Sequence, residues 1–171
     1  MYQNESNPIV TLKIKDKGEI KIELFVDVAP NTAYNFIDLV SKNYYAGLIF
    51  HRIIPGFMIQ GGQGMPSKPI KGDFKANGVA NPILHERGVI SMARTSDPNS
   101  ATTQFFIMHK NSPHLDGQYA AFGMTISGFD VIDAIATTRR DFSDRPIEPI
   151  IIESCSIDLK GKSYPKPVYL Y

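Results

Sequence analysis

Residues 50–62 read Phe-His-Arg-Ile-Ile-Pro-Gly-Phe-Met-Ile-Gln-Gly-Gly. Apolar residues dominate on both sides of Pro55-Gly56, a pattern that predicts two short strands joined by a turn. Arg52 and Gln60 are polar side chains that lie among these apolar residues. A buried arginine without a partner is costly, so either Arg52 reaches the surface and Gln60 hydrogen-bonds a loop, or both border an apolar pocket. This stretch alone leaves both interpretations open.

Composition limits the class of protein. The chain has 171 residues, of which 43% are hydrophobic and 20% charged, as is ordinary for a globular domain with a real core. We therefore expect one domain over residues 1–171, ending in a short tail at 160–171. The formal net charge of +1 is too small to create an electrostatic field of one sign over the protein surface. Nucleic acid and membrane surfaces are therefore not predicted partners.

Signals for a membrane span, export or a metal site are missing from the sequence. No run approaches the roughly 18 apolar residues of a membrane span, and the first residues lack the features of a signal peptide. The cytoplasm is the expected location. Cys155 is the one cysteine; it has no internal disulfide partner and is predicted to be a small buried residue. The histidines show no ligand spacing, so no metal is predicted.

Hydrophobic periodicity predicts many strands and two helices. Alternation indicates a hairpin over 9–14 and 19–24, and helical spacing indicates a helix over about 30–42. Further strands are expected over 88–92, 104–108, 120–125 and 150–159, with loops over 62–88 and a second helix capped by Ser127. Two helices are too few to connect parallel strands. The chain is therefore predicted to be mainly β, an antiparallel barrel with helices over its open ends.

The combination of apolar and polar residues recurs at two later places. Residues 104–107 read Gln-Phe-Phe-Ile, and residues 114–119 place a histidine and a tyrosine around a leucine. Together with 50–62, they could form a dry wall made of Phe57, Met58, Phe106 and Leu115. The edge of that wall would carry Arg52, Gln60, Gln104, His114 and Tyr119.

On these residues the chain resembles the cyclophilins, a family of peptidyl-prolyl cis-trans isomerases. The stretches 50–62, 88–93, 104–107 and 115–117 match family motifs in the right order, and residues 70–74 look similar to prokaryotic members. The resemblance covers about 8–159. It implies a closed eight-stranded antiparallel barrel capped by two helices. It also implies an enzyme that assists protein folding, with proline-containing peptides and folding proteins as partners, and we expect a monomer.

The resemblance also assigns roles position by position. It makes Arg52 the catalytic residue, and it places the proline pocket at Phe57, Met58, Phe106 and Leu115. It implies that Gln60, Ala93 and Arg94 hold the backbone of the substrate. It also implies that Gln104 supports Arg52 and Gln60. His114 and Tyr119 stand where many members have tryptophan and histidine, so cyclosporin is expected to bind only weakly. The loop 94–101 is slightly longer than in the best-known members.

The chemistry of the reaction explains these residue types. Partial double-bond character gives rotation about the peptide bond a barrier of about 18–20 kcal/mol. Twisting returns a lone pair to the prolyl nitrogen, where a fixed cation can donate a hydrogen bond. No bond forms or breaks, so no nucleophile, metal or cofactor is needed. The alternative is a proline-peptide binding module or scaffold with little turnover; retention of Arg52 favours the enzyme. A hydrolase is disfavoured, since no glycine-flanked serine occupies a strand-to-helix elbow.

Overall fold

Eight strands and two helices make up the fold in the computed structural model, which describes residues 2–171. The strands are β1 (Ile9–Ile14), β2 (Gly18–Leu24), β3 (Phe50–Ile54), β4 (Met58–Gly61), β5 (Val89–Met92), β6 (Phe105–Met108), β7 (Ala121–Ser127) and β8 (Ile152–Asp158). The helices are α1 (Pro30–Ser41) and α2 (Phe129–Ala136), and short 3₁₀ turns lie at Lys75–Asn77 and Pro113–Leu115. The element types therefore follow the predicted inventory.

The strands form one antiparallel sheet in the order β3-β4-β6-β5-β7-β2-β1-β8. Its two outer strands meet at one end: Ile49, just before β3, pairs with Ile151, and Phe50 N–H of β3 donates to the Ile150 carbonyl at 3.0 Å. These contacts join the ends of the sheet. The predicted antiparallel barrel with two helices is confirmed.

Both helices pack on the sheet. Helix α1 contacts β7 and β8 through a buried face that includes Phe36, while α2 lies against β2, β3 and β4. Pro30 suits the first helical turn because its missing N–H needs no partner there. The carboxylate of Asp73, from the long loop 62–88, accepts from Thr32 N–H at 3.0 Å and from the Thr32 hydroxyl at 2.8 Å. This contact satisfies a free donor of the helix and fixes the loop.

Strands β5 and β6 are buried on both faces. Successive residues of a strand point to opposite faces. Phe105 therefore joins the main core with Phe36 and Tyr45, while Phe106 joins a second cluster with Met58 and Leu115. The second cluster lies on the other side of the sheet from the main core. It forms the floor of the site described below.

The start of α2 differs from the prediction. Ser127 is the last residue of β7, and the capping position is Gly128, which has φ +97° and makes no side-chain cap. A side chain at Gly128 would collide with the Glu19 carbonyl, so the close approach of β2 requires glycine. Asp130 lies in the first turn, where a carboxylate favours the positive end of the helix dipole. The predicted Ser127 cap is therefore wrong.

The tail docks along α1. The Asn31 side-chain amide donates to the Val168 carbonyl at 2.9 Å and accepts from Val168 N–H at 2.7 Å. Lys166 forms an ion pair with Asp38 at 2.8 Å, and Leu170 N–H donates to the Pro69 carbonyl at 3.0 Å. These contacts order the last residues. No helix within residues 2–171 is long and apolar enough to cross a membrane.

Candidate active site

A row of side chains crosses four neighbouring strands on the outer face of the barrel. Arg52 of β3 lies opposite Gln60 of β4, Gln60 lies opposite Phe106 of β6, and Phe106 lies opposite Ser91 of β5. Directly opposed residues of antiparallel strands share a face and lie close together. The sheet register thus brings a cation, an amide and an aromatic ring together from distant parts of the sequence.

The row borders a pocket of about 160 Å³. Its lining consists of Arg52, Phe57, Met58, Gln60, Ala93, Arg94, Phe106, Leu115 and Tyr119. The floor is apolar, because it consists of Met58, Phe106 and Leu115, which are buried at only 2%, 5% and 7% exposure. Every residue that the resemblance assigned to the site lines this pocket except Gln104 and His114. The pocket is therefore apolar at its base and polar at its edge.

One side-chain amide contacts Arg52 directly. Its guanidinium approaches Gln60 Oε1 at 3.5 Å, and Gln60 Nε2 donates to Gln104 Oε1 at 3.0 Å. Gln104, which does not line the pocket, therefore supports Arg52 through Gln60. Arg52 is exposed and forms no ion pair with any carboxylate within residues 2–171. Its donors thus remain available to a ligand in the pocket.

Arg94 closes another side of the pocket. Its guanidinium donates to the carbonyls of Thr95 at 2.9 Å and Gln118 at 2.6 Å. It also stacks between two rings, 4.4 Å from the centre of Tyr119 and 5.0 Å from that of Phe74. The Arg94 side chain has a structural role, because cation–π contacts and two hydrogen bonds fix its position. Arg52 and Arg94 therefore differ in how free their charges are.

His114 and Tyr119 lie at the rim of the pocket. The His114 ring is exposed, with its centre 5.8 Å from that of Phe57. Tyr119 meets Phe106 edge to face at 5.7 Å. His114 therefore extends the apolar surface outside the pocket and does not line it.

Two histidines near the site have lowered pKa values. Burial is the largest effect that lowers the pKa of His51, and the nearby charges of Arg145 and Arg52 lower it further. Burial likewise lowers the pKa of His85, although the adjacent Asp116 opposes the shift. Because His51 is neutral near pH 7, it adds no second charge beside Arg52.

His85 connects Ser91 and Asp116 behind the pocket. Its Nε2 lies 3.0 Å from Ser91 Oγ and its Nδ1 lies 3.1 Å from Asp116 Oδ1. These are the contacts of a hydrolase triad, yet Ser91 is 0% exposed and His85 is 1% exposed. No substrate can reach that hydroxyl. The array instead supports the floor, since the His85 ring stacks on Phe106 with centres 6.0 Å apart.

The site also includes contacts that the sequence did not indicate. Gly56, in the turn between β3 and β4, donates its N–H to His109 Nδ1 at 2.8 Å. These partners are 53 positions apart in the chain, and no motif marks His109. Within residues 2–171, no group of three or more His, Cys, Asp or Glu side chains could hold a metal ion.

The barrel thus carries on its outer face a pocket with an apolar floor and with a guanidinium and an amide at the rim. Comparison with known proteins identifies the family. The family described as cyclophilin type peptidyl-prolyl cis-trans isomerase matches residues 9–157. The chain therefore belongs to the cyclophilin-type peptidyl-prolyl cis-trans isomerases, and its predicted class as an isomerase is confirmed.

Individual relatives cover most of the chain. It is 42% identical over 140 residues to the peptidyl-prolyl cis-trans isomerase ppi1 of Schizosaccharomyces pombe, a match spanning 79% of this chain and 90% of that protein. It is also 42% identical over 164 residues to a peptidyl-prolyl cis-trans isomerase of Acinetobacter baylyi, across 89% and 86% of the two chains.

Solved structures show the same fold. A cyclophilin-type isomerase of Cryptosporidium parvum has a TM-score of 0.79 and 31% identity, covering 93% of this chain and 99% of its own. The same protein in the presence of the dipeptide Ala-Pro has a TM-score of 0.78, with 88% and 98% covered.

Proposed function

We propose that the pocket holds the proline ring of an X-Pro peptide and that Arg52 is the catalytic residue. The observation that supports this most strongly is the position of Arg52, whose guanidinium lies at the edge of a pocket with an apolar floor, contacts Gln60 and has no carboxylate partner within the described chain. A cation at such a place is available to a group that gains electron density. The prolyl nitrogen of a twisted peptide bond is such a group.

The proposed mechanism is differential binding of the twisted peptide bond. The ring of proline rests on Phe57, Met58, Phe106 and Leu115, which hold it still while the preceding carbonyl rotates. At the twisted geometry the nitrogen regains its lone pair and accepts a hydrogen bond from Arg52. The planar isomers offer no such acceptor, so the interaction lowers the barrier. Water is excluded at the apolar floor, which strengthens the interaction.

Gln60 and Gln104 have positioning roles in this proposal. The chain of contacts from Gln104 to Gln60 to Arg52 limits the rotamers of a long side chain before substrate arrives. A preorganised donor needs little rearrangement in the transition state. Gln60, Ala93 and Arg94 are proposed to contact the backbone of the peptide.

The competing proposal is a proline-peptide binding module that uses the same pocket with little turnover. The free guanidinium favours the enzyme, because an apolar pocket alone could bind proline. A protease-free isomerisation assay on a short X-Pro peptide separates the two. We expect wild type to accelerate exchange, Arg52→Lys to be much weaker, and Arg145→Ala, which removes an exposed arginine outside the pocket, to match wild type. Binding without acceleration by wild type would support the module instead.

We further propose that the chain acts as one unit over 1–171, as a monomer in the cytoplasm, on proline-containing segments of unfolded or folding proteins. Antiparallel pairing from β1 to β8 and the docked tail support a single unit. The exposed His114 supports weak binding of cyclosporin. Sedimentation of the purified chain and fractionation of cells that express it would test the monomer and the location.

A further inference from the structure

His109 holds both sides of the turn that joins β3 to β4. Its Nδ1 accepts from Gly56 N–H at 2.8 Å, and its own backbone N–H donates to the Phe57 carbonyl at 2.9 Å. The turn itself is closed by Phe57 N–H, which donates to the Ile54 carbonyl at 3.0 Å. Gly56 has φ +82°, as the third position of such a turn requires. His109, the residue after β6, thus fixes the turn that carries Phe57 into the pocket.

The contacts fix the tautomer of His109. A backbone N–H can only donate, so Nδ1 must be the unprotonated acceptor. The ring proton is then on Nε2, which lies 3.1 Å from Asp133 Oδ1 of α2. Arg87 holds that carboxylate in turn with two hydrogen bonds of 2.6 and 2.9 Å. The neutral ring therefore satisfies both neighbours, and the charged ring cannot.

We propose that His109 is a positioning residue for the isomerase site. Its unprotonated Nδ1 holds the Gly56 turn so that Phe57 presents its ring to the substrate proline, and protonation of the imidazole releases that hold. The proposal rests on the proposed seating of proline against Phe57. It adds an acid-sensitive control of substrate binding to a reaction that itself transfers no proton.

The surroundings of His109 determine how it titrates. The charged groups that face it are Asp133 of α2, Arg87 from the segment before β5, and Lys110 beside it in the chain; the turn contributes none. Burial is the largest effect and lowers the pKa of His109, and Lys110 and Arg87 lower it further, while Asp133 raises it. His109 is 7% exposed. Its neutral form therefore predominates near pH 7, and acid below the ordinary histidine pKa of about 6.5 releases the turn.

Two substitutions of His109 test the roles of its Nδ1 and Nε2 atoms separately. His109→Asn places an amide oxygen near the position of Nδ1, so it can still accept from Gly56 but cannot titrate. His109→Gln reaches toward Asp133 and leaves the Gly56 N–H without its acceptor. We expect the glutamine variant to raise KM by about 3- to 10-fold, the range of one neutral hydrogen bond, with a smaller change in kcat. The asparagine variant should raise KM clearly less.

The pH profile of kcat/KM provides the decisive readout. We expect the wild-type value to fall below about pH 6.5, and this fall to be absent or much reduced in His109→Asn. Asp133→Asn removes the charge that favours the imidazolium, so it should move the fall to lower pH. The Gly56 amide proton, followed by NMR in the wild-type protein, should shift with the same midpoint. Urea titrations at each pH confirm that the molecules assayed are folded.

The outcomes distinguish this proposal from the wider one. An inactive wild-type protein would reject the proposed function of the site. An active wild type with equal KM values for His109→Asn and His109→Gln would overturn the role of Nδ1 alone. If the glutamine variant does not fold, the asparagine variant still decides: an acid limb identical to that of wild type would overturn the proposal.

Discussion

Two adjacent phenylalanines of β6 should respond differently to the same truncation. Phe105 is 0% exposed in the main core, with its ring edge to face against those of Phe36, Tyr45 and Phe50 at 5.2–5.9 Å. Its replacement by alanine leaves a closed cavity, for which the typical cost is about 3–5 kcal/mol. Phe106 faces the pocket, so the space left by its truncation opens to solvent.

The smaller cost at Phe106 follows from this opening. Loss of its buried apolar surface costs about 1.5–3 kcal/mol, but the added cavity term is mostly missing because water can enter the enlarged pocket. The edge contact with Tyr119 adds about 0.5–1.5 kcal/mol, whereas Phe105→Ala loses three such edge contacts. Phe106→Ala should therefore be less destabilised than Phe105→Ala, yet it should lose most of its isomerase activity because the wall of the proline pocket is missing.

Urea unfolding and an isomerisation assay, performed on both variants under conditions where each is folded, test this pair. Phe105→Ala should keep most of its activity per folded molecule, since its ring does not line the pocket. The reasoning would be refuted if the two variants lost equal activity. It would also be refuted if Phe106→Ala were the less stable of the two.

Three further expectations concern other parts of the molecule. Deletion of residues 161–171 should lower the melting temperature, since it removes the contacts with Asn31 and Asp38, but it should leave isomerase activity intact; abolished activity would contradict this. His114→Trp should tighten cyclosporin inhibition by about 10- to 100-fold with little change in peptide turnover, and equal inhibition in side-by-side titrations would show that His114 does not set the affinity. Because burial lowers the pKa of His85 and His109, the folded state resists protonation; stability is intact above about pH 6.5 and should fall below it. A urea midpoint at pH 5 no lower than at pH 7 would contradict that sign.

Local pattern was sufficient for most of the fold. Alternation in 9–14 and 19–24 reports strands with one solvated face, and these two strands form the predicted hairpin. Residues 88–92 and 104–108 carry no alternation, because β5 and β6 are buried on both faces. Their apolar runs identify strands but not which residues face the core. The opposite roles of Phe105 and Phe106 therefore follow only from the sheet register.

The site could be predicted where its residues lie in long motifs. Residues 50–62 carry Arg52 and Gln60 on paired strands, and local spacing is enough to relate them. The contact between His109 and Gly56 depends on how β6 continues past the turn between β3 and β4, and no local pattern encodes it. The Ser127 cap was mispredicted for a similar reason, since the approach of Glu19 to Gly128 is a tertiary contact.

Exchange NMR on a short X-Pro peptide bound to Arg52→Ala tests the proposed mechanism most directly. At saturating enzyme this experiment measures the cis-trans rate on the protein apart from affinity, and titration measures affinity. Removal of one preorganised donor to a transition state typically costs about 10²–10³-fold in rate. We expect a loss of that size in the bound exchange rate, with peptide affinity much less affected because the apolar floor remains. A bound exchange rate equal to that of wild type, in a folded Arg52→Ala protein, would contradict the assignment of Arg52 as the catalytic residue.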